Sequence, residues 1–190
     1  DATIDSVFLS LSMNKTQNAA QDLRIYPVLG AWAEGSSDAS ANEGKGTSAT
    51  EGDPTWTYRV YPDTLWNNEG GDIGEEILFE GSIQGSGSYS LKGTDDFITL
   101  FDQWRKGDMP NYGVMLIGNE DSQNRSSKRF ASSQFSGSAN RPSLTVYGTY
   151  NNSTNSEEEA TLQKMSFGLA PNYPNPFNPQ CKIDITIEEN

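Results

Sequence analysis

The sequence has no histidine and a single cysteine, Cys181, among its 190 residues. One thiol cannot form an intrachain disulfide, and without histidine no Cys/His catalytic pair can form. Acid/base chemistry would then need paired carboxylates with shifted pKa values. Asp72 with Glu75 and Glu76 is a glycosidase-like candidate for such a pair, but a solvated turn is the favoured alternative. The sequence therefore predicts a protein that is not an enzyme.

Basic residues are also scarce. The chain has 13 Lys and Arg against 26 Asp and Glu, which gives a formal net charge of -13. Nucleic acids are bound by concentrated positive charge, and anionic membrane surfaces attract basic patches, so neither is an expected partner. No apolar run approaches the roughly 18 residues that a spanning helix needs, so no membrane insertion is expected.

Long hydrophobic runs are absent, because 18 glycines, nine prolines and many small polar residues divide the apolar residues into short groups. Short groups bounded by turn residues are typical of β-strands. Val7, Leu9, Leu11 and Met13 alternate with other residues and predict a half-buried strand. Leu23, Ile25 and Val28 predict a second strand, antiparallel and adjacent to the first, in which Pro27 indicates an edge position or a bulge.

One helix is predicted at residues 94–106. Thr94 can cap its N-terminus, Phe97, Phe101 and Trp104 fall at helical spacing, and Gly107 ends it. We expect those three aromatic residues on its buried face. The other apolar groups predict strands, and seven residues are expected to face inward: Leu9, Leu11, Ile25, Val114, Leu116, Leu144 and Val146.

Three parts follow one another along the chain: a main domain at 1–150, a polar linker at 151–160 and a short unit at 161–190. In the last unit Ile183, Ile185 and Ile187 alternate with polar residues and predict one strand. A single strand is not an independent domain. We therefore expect it to dock on the main domain or to pair with a sheet edge of another chain.

The main domain resembles the DNRLRE domain family, a β-sandwich module of exported bacterial and archaeal proteins that is related to carbohydrate-binding modules. The matching segments are 4–11, 26–29, 32–35, 55–56, Trp66, 70–72, Trp104 with Gly107, 111–114 and 141–147. This resemblance implies an all-β fold, an antiparallel, jelly-roll-like sandwich with one short helix. Such domains begin with further strands before the one at Val7, so we expect those strands in a preceding segment or in another chain.

The segment from Leu169 to Ile187 resembles the beginning of the C-terminal sorting domain of type IX secretion substrates. The run that carries this resemblance is Tyr173, Pro174, Asn175, Pro176, Phe177, Asn178 and Pro179, ahead of the predicted strand. It implies export across the outer membrane to the cell surface or the extracellular space, with the type IX secretion machinery as a partner.

Two kinds of ligand site are suggested by the residues themselves. Trp56, Tyr58, Tyr61 and Trp66 are candidates for stacking on sugar rings. Core packing is the alternative for these aromatic residues, and it is the favoured interpretation for all four tryptophans: Trp32, Trp56, Trp66 and Trp104.

A calcium site is the second candidate, since oxygen ligands suit Ca²⁺. Its proposed ligands are Glu34, Asp38, Asp53 and Asp72. Solvated loop charges are the alternative, and no other cofactor is expected.

Two functions remain open at this stage. The first is a secreted or cell-surface module that binds polysaccharide or mediates adhesion. The second is a structural subunit of an extracellular filament or surface layer, completed by strand exchange between neighbouring chains.

Overall fold

A computed structural model of the protein describes residues 2–17, 20–37, 46–118, 127–150, 163–169 and 185–188. Within them the chain forms eleven strands and one α-helix, α1 (Asp95–Lys106). The strands are β1 Ala2–Thr16, β2 Gln21–Pro27, β3 Tyr58–Val60, β4 Thr64–Leu65, β5 Phe79–Ile83, β6 Gly87–Lys92, β7 Val114–Ile117, β8 Lys128–Phe130, β9 Ser143–Tyr150, β10 Gln163–Leu169 and β11 Ile185–Glu188. The described helix is too short to cross a bilayer.

The larger sheet is antiparallel and has the strand order β11-β10-β9-β1-β6, with β8 paired to the end of β1. Its central strand β1 is 15 residues long. The first part of β1 pairs with β9, placing Val7 opposite Val146, and the second part pairs with β6, placing Leu11 opposite Tyr89. The length of β1 therefore lets one strand join three partners.

The smaller sheet has the order β5-β2-β7 and is also antiparallel. Its middle strand β2 alternates buried and more exposed residues along its length, as expected for a sheet with one face on the core. Strands β3 and β4 form a separate short hairpin in the connection between β2 and β5.

The two sheets and the helix share one hydrophobic core. Its buried members come from both sheets, from the residue before β5 and from α1: Val7, Leu11, Leu23, Ile25, Leu78, Phe79, Ile83, Leu91, Phe97 and Val146. The protein is thus an all-β sandwich with one short helix, as the sequence predicts.

The helix begins and ends where the sequence predicts. The Thr94 side chain accepts a hydrogen bond from the Phe97 backbone N–H, and Gly107 adopts the left-handed conformation with φ of 77°. Phe97 is buried, while Phe101 and Trp104 are partly buried against the core. One apolar face of α1 therefore closes one side of the sandwich.

Two expectations about the first strands are wrong. Strands β1 and β2 are not neighbours in one sheet but lie in opposite sheets. Pro27 is not on an edge strand either, because β2 is the middle strand of its sheet. Pro27 is the last residue of β2, and a strand end tolerates a residue without an N–H.

Most of the residues expected inward do lie there. Leu11, Ile25 and Val146 are buried, and three more are partly buried against the core: Leu9, Val114 and Leu144. Leu116 differs, with 39% of its surface exposed. It pairs opposite Ile25, but β7 is the outer strand of its sheet, and an outer strand has fewer neighbours to cover it.

The segment after residue 160 contributes two strands to the larger sheet. Strand β10, which the sequence patterns do not predict, pairs with β9, and β11 pairs with β10 and places Ile187 opposite Phe167. The predicted strand therefore has a partner within its own chain. Ile183, residues 151–160 and the Tyr173–Pro179 run lie outside the described residues.

Candidate functional site

The site lies in the connection between β2 and β5, most of which is loop. Asp53 fixes its beginning: the carboxylate accepts backbone N–H bonds from Ser36 at 2.7 Å, Ser37 at 3.2 Å and Thr50 at 2.7 Å. These donors hold the pKa of Asp53 well below its usual range, and the Thr50 backbone N–H makes the largest contribution. Gly35 is required beside this carboxylate, since a Cβ atom there would collide with Asp53 Oδ1.

Asp72 fixes the end of the same loop. Its oxygens accept the backbone N–H of Asn67 at 3.1 Å and that of Asn68 at 2.9 Å, and both asparagine side-chain amides donate to it as well. The Asn67 backbone N–H is the main cause of a lowered pKa for Asp72. An ionised carboxylate whose two oxygens already accept four N–H bonds is poorly suited to donate a proton. The geometry therefore does not support the glycosidase-like pair of Asp72 with Glu75 and Glu76.

Trp66 is a packing residue of this loop. Only 8% of its surface is exposed, and its indole N–H donates to the Thr55 carbonyl at 3.0 Å. The Thr55 hydroxyl in turn accepts the backbone N–H groups of Thr57 and Tyr58. Trp66 is therefore not available to stack on a ligand, which agrees with the core-packing interpretation of this residue and not with the stacking one.

Trp56 has the opposite character, since 60% of its surface is exposed. Its carbonyl accepts the Gly70 N–H at 2.7 Å, and its ring lies against Gly70 so closely that a Cβ atom there would be 2.8 Å from Cη2. Gly70 also has a φ of 91°, which side-chain-bearing residues rarely adopt. The indole is thus held on one side and open to solvent on the other.

Tyr58 and Tyr61 are more exposed than Trp66 and less exposed than Trp56. Their rings meet edge to face, with centroids 5.3 Å apart and an interplanar angle of 87°, and both residues are half-buried. The pair stiffens the β3–β4 hairpin and leaves part of each ring accessible.

A groove of about 380 Å³ runs beside the same hairpin. Its walls include two leucines, a basic side chain and the acid-binding asparagines: Leu29, Arg59, Leu65, Asn67, Asn68 and Asp72. Leu29 and Leu65 are 58% and 55% exposed. The groove therefore combines two exposed leucine side chains with a lining that is mostly polar and can form hydrogen bonds.

Arg59 is the only cation among the described residues that line the groove. One of its terminal nitrogens, Nη1, donates to the Ala31 carbonyl at 3.2 Å and lies over Gly30, where a Cβ atom would be 3.3 Å away. Among the described residues no carboxylate lies within 4.0 Å of this guanidinium, since the ion pairs found there join Asp102 to Arg105 and Lys106.

The calcium candidates are not brought together in the described part of the chain. Glu34 is exposed and accepts a bond from Gln134 Nε2 at 3.3 Å, while the oxygens of Asp53 and Asp72 face N–H donors. No group of three or more acidic or cysteine side chains within the described ranges is arranged to hold a metal ion. Asp38 lies outside those ranges.

The two further tryptophans differ from each other. Trp104 packs against Phe97 with ring centroids 6.1 Å apart, in agreement with the favoured core interpretation. Trp32 is 36% exposed, so its assignment to the core is wrong. Its indole N–H donates at 2.8 Å to the carbonyl of Tyr112, which is 80 residues away in the chain.

Comparisons of the chain with protein-family models, with curated proteins and with solved structures find no match. The resemblances to the DNRLRE family and to type IX sorting domains thus stay predictions.

The groove itself was missed by sequence reasoning, although one signal was present. Arg59 is the only basic residue between Lys45 and Lys92, in a stretch with many acids. Leu29 and Leu65 gave no signal, because an isolated leucine beside a turn has the same pattern whether it is buried or exposed.

Proposed function

We propose that this chain is a non-catalytic module of a secreted or cell-surface bacterial protein, and that it binds carbohydrate, either for attachment or for adhesion. The observation that carries the proposal is Trp56, an exposed indole fixed on the Gly70 backbone with one face open. Sugar rings present an apolar face that packs on aromatic rings. A ring that is already ordered before binding loses little conformational freedom when the sugar arrives.

The surroundings of Trp56 support the same function. Gly70 belongs to the turn that Asp72 organises, and the Asn67 and Asn68 side chains of that turn also line the groove. Each asparagine amide uses its NH₂ group on Asp72 and keeps a carbonyl oxygen as a hydrogen-bond acceptor. Hydroxyl groups of a glycan are suitable donors to those oxygens.

The decisive experiment compares glycan binding by the wild-type protein and by Trp56→Ala. A sugar ring covering roughly 60–80 Å² of the indole, at about 25 cal/mol/Å², contributes about 1.5–2 kcal/mol, or about 10- to 30-fold in Kd. We expect Trp56→Ala to weaken binding by this factor in calorimetric titrations with the best ligand of a polysaccharide array.

Two further variants make this comparison specific. Met109→Ala removes another exposed apolar side chain, 45% exposed beyond the helix, and should leave the affinity unchanged. Gly70→Ala keeps the indole but displaces it, and should weaken binding almost as much as Trp56→Ala. Equal affinities for the wild type and Trp56→Ala would contradict the proposal.

Export is proposed on the resemblance of the Tyr173–Pro179 run to type IX sorting domains, together with an acidic composition that disfavours nucleic acid and anionic membranes. The extracellular location places the module among polysaccharides, which is consistent with a glycan ligand.

The structural-subunit alternative is less favoured. It requires the strand near the C-terminus to complete a neighbouring chain, but β11 pairs with β10, and β10 with β9, in the same chain. A strand whose backbone groups are already paired has less to gain from an exchange.

A further inference from the structure

We propose that the groove beside the β3–β4 hairpin binds the carboxylate of an acidic sugar, a uronic acid, through Arg59. This inference rests on the proposed glycan-binding function and names the class of sugar. The juxtaposition that carries it is a guanidinium with one hydrogen bond to the described part of the chain, in a groove that is also lined by two exposed leucines and two asparagines.

The chain has a net charge of -13, and in such a protein a cation normally has acids nearby. Asp72 lines the same groove and keeps its negative charge, but its oxygens accept hydrogen bonds from Asn67 and Asn68. Among the described residues no ion pair joins Asp72 to Arg59, so the guanidinium keeps N–H donors that a ligand can use.

A guanidinium has five N–H donors in a planar fork. Among the described residues one hydrogen bond, from Arg59 Nη1 to the Ala31 carbonyl, orients this fork. The donors left over can form the paired bonds that match a planar carboxylate. Gly30 provides the space that lets the guanidinium lie against the backbone.

Leu29 and Leu65 are more than half exposed and offer apolar surface to the C–H face of a sugar ring. The free amide oxygens of Asn67 and Asn68 accept hydroxyl protons. A volume of about 380 Å³ is at the lower end of the range of small-molecule pockets, roughly 300–1,000 Å³, which suits a short glycan segment rather than a long chain.

The net charge also dictates the probe. A polyuronate would be repelled by the acidic surface as a whole. An otherwise neutral oligosaccharide that carries one uronic acid is therefore the better probe of the contact between Arg59 and the carboxylate. At 0.15 M salt the Debye length is about 8 Å, and distant charges then contribute little. We would titrate xylotriose, and xylotriose bearing one glucuronic acid branch, into the full chain.

The expected result is tighter binding of the acidic tetrasaccharide than of xylotriose, by about tenfold or more, as for other hydrogen bonds to charged groups. Arg59→Gln should abolish this preference, and Arg59→Lys should restore only part of it because an ammonium lacks the planar fork. Arg24→Gln, which makes the same charge change at an exposed position on β2, should keep the preference. In ¹H–¹⁵N spectra the Asn67 and Asn68 side-chain amide signals should shift more with the acidic ligand than with xylotriose at equal concentration, and Arg59→Gln should remove this difference.

The outcomes separate this inference from the proposed function. If both oligosaccharides bind equally and Trp56→Ala weakens both, the module binds glycans and the carboxylate assignment is overturned. Stronger binding of a sulfated than of a uronic sugar overturns it as well. A third outcome is that no glycan of the array binds in a way that requires Trp56, while free glucuronate shifts the Asn67 and Asn68 signals of the wild type and not those of Arg59→Gln. The groove assignment then stands and the glycan-module function fails.

Discussion

Phe97 is the side chain through which α1 is fixed to the sandwich, and its replacement by alanine is a direct test of the fold. Phe97 is 2% exposed, and its ring lies 4.4 Å from that of Phe79 and 6.1 Å from that of Trp104, measured between centroids. Removing a buried phenylalanine ring loses its transfer free energy and leaves a cavity, at a cost of about 3–5 kcal/mol. The expected loss is a large fraction of a domain stability of about 5–15 kcal/mol.

The assay is urea denaturation followed by circular dichroism, supplemented by thermal melting. For a domain of this size about 1 kcal/mol corresponds to about 2–4 °C in Tm, so Phe97→Ala should lower Tm by about 6–20 °C. The denaturant midpoint should fall while the m-value stays constant. Thr99 lies on the same helix and is exposed, so Thr99→Ala is the matched control and should change stability by about 0.5 kcal/mol at most.

The reasoning would be refuted if Phe97→Ala cost less than about 1 kcal/mol, the size of an ordinary exposed substitution. That result would mean that α1 does not pack on the sheets through this residue. Phe97→Leu distinguishes loss of volume from loss of aromatic contact, and it should retain most of the stability because the cavity is smaller.

Two other predictions concern the carboxylate anchor and the C-terminal strands. Because folding lowers the pKa of Asp53, its stabilising effect should be complete above the ordinary value of about 3.9 and should decline as the pH falls below it. Urea midpoints at pH 7 and pH 3 should therefore differ less in Asp53→Asn than in the wild type, and an identical difference would contradict the role of Asp53. Truncation after Tyr150 removes β10 and β11 and should lower Tm without changing the oligomeric state measured by light scattering. An unchanged Tm would argue against docking, and loss of an oligomer with an intact fold would favour strand exchange.

Features with a local cause were predictable from the sequence. The alternation around Val7 predicts β1, and the capping of Thr94 and Gly107 predicts both ends of α1. In each case the structure-forming signal lies within a few neighbouring residues. The sheet partners of β1 and β2 were not predictable in this way, because two amphipathic strands in sequence can pair with each other or face each other across a core.

The site was only partly predictable, for a related reason. Aromatic residues in a polar loop predict a ligand surface, but nothing in the local pattern distinguishes buried Trp66 from exposed Trp56. The difference arises from the Trp66 bond to Thr55 and from the fit of Trp56 on Gly70. Arg59 was missed because its position depends on Ala31, 28 residues earlier in the chain.

The acidic composition of the loop has a structural as well as an electrostatic consequence. Surface loops are ordinarily more mobile than the strands they connect, so they are poorly preorganised for binding. Here the carboxylates of Asp53 and Asp72 each accept hydrogen bonds from two or more backbone N–H groups. In a sheet, the carbonyl groups of a neighbouring strand would accept such bonds. Trp56 and Arg59 lie between these two anchors in the sequence. Elsewhere in the sandwich, neighbouring strands accept the backbone N–H groups and fix the chain. In this loop a carboxylate at each end accepts them, so a ligand surface can be held in place although little of it belongs to a sheet.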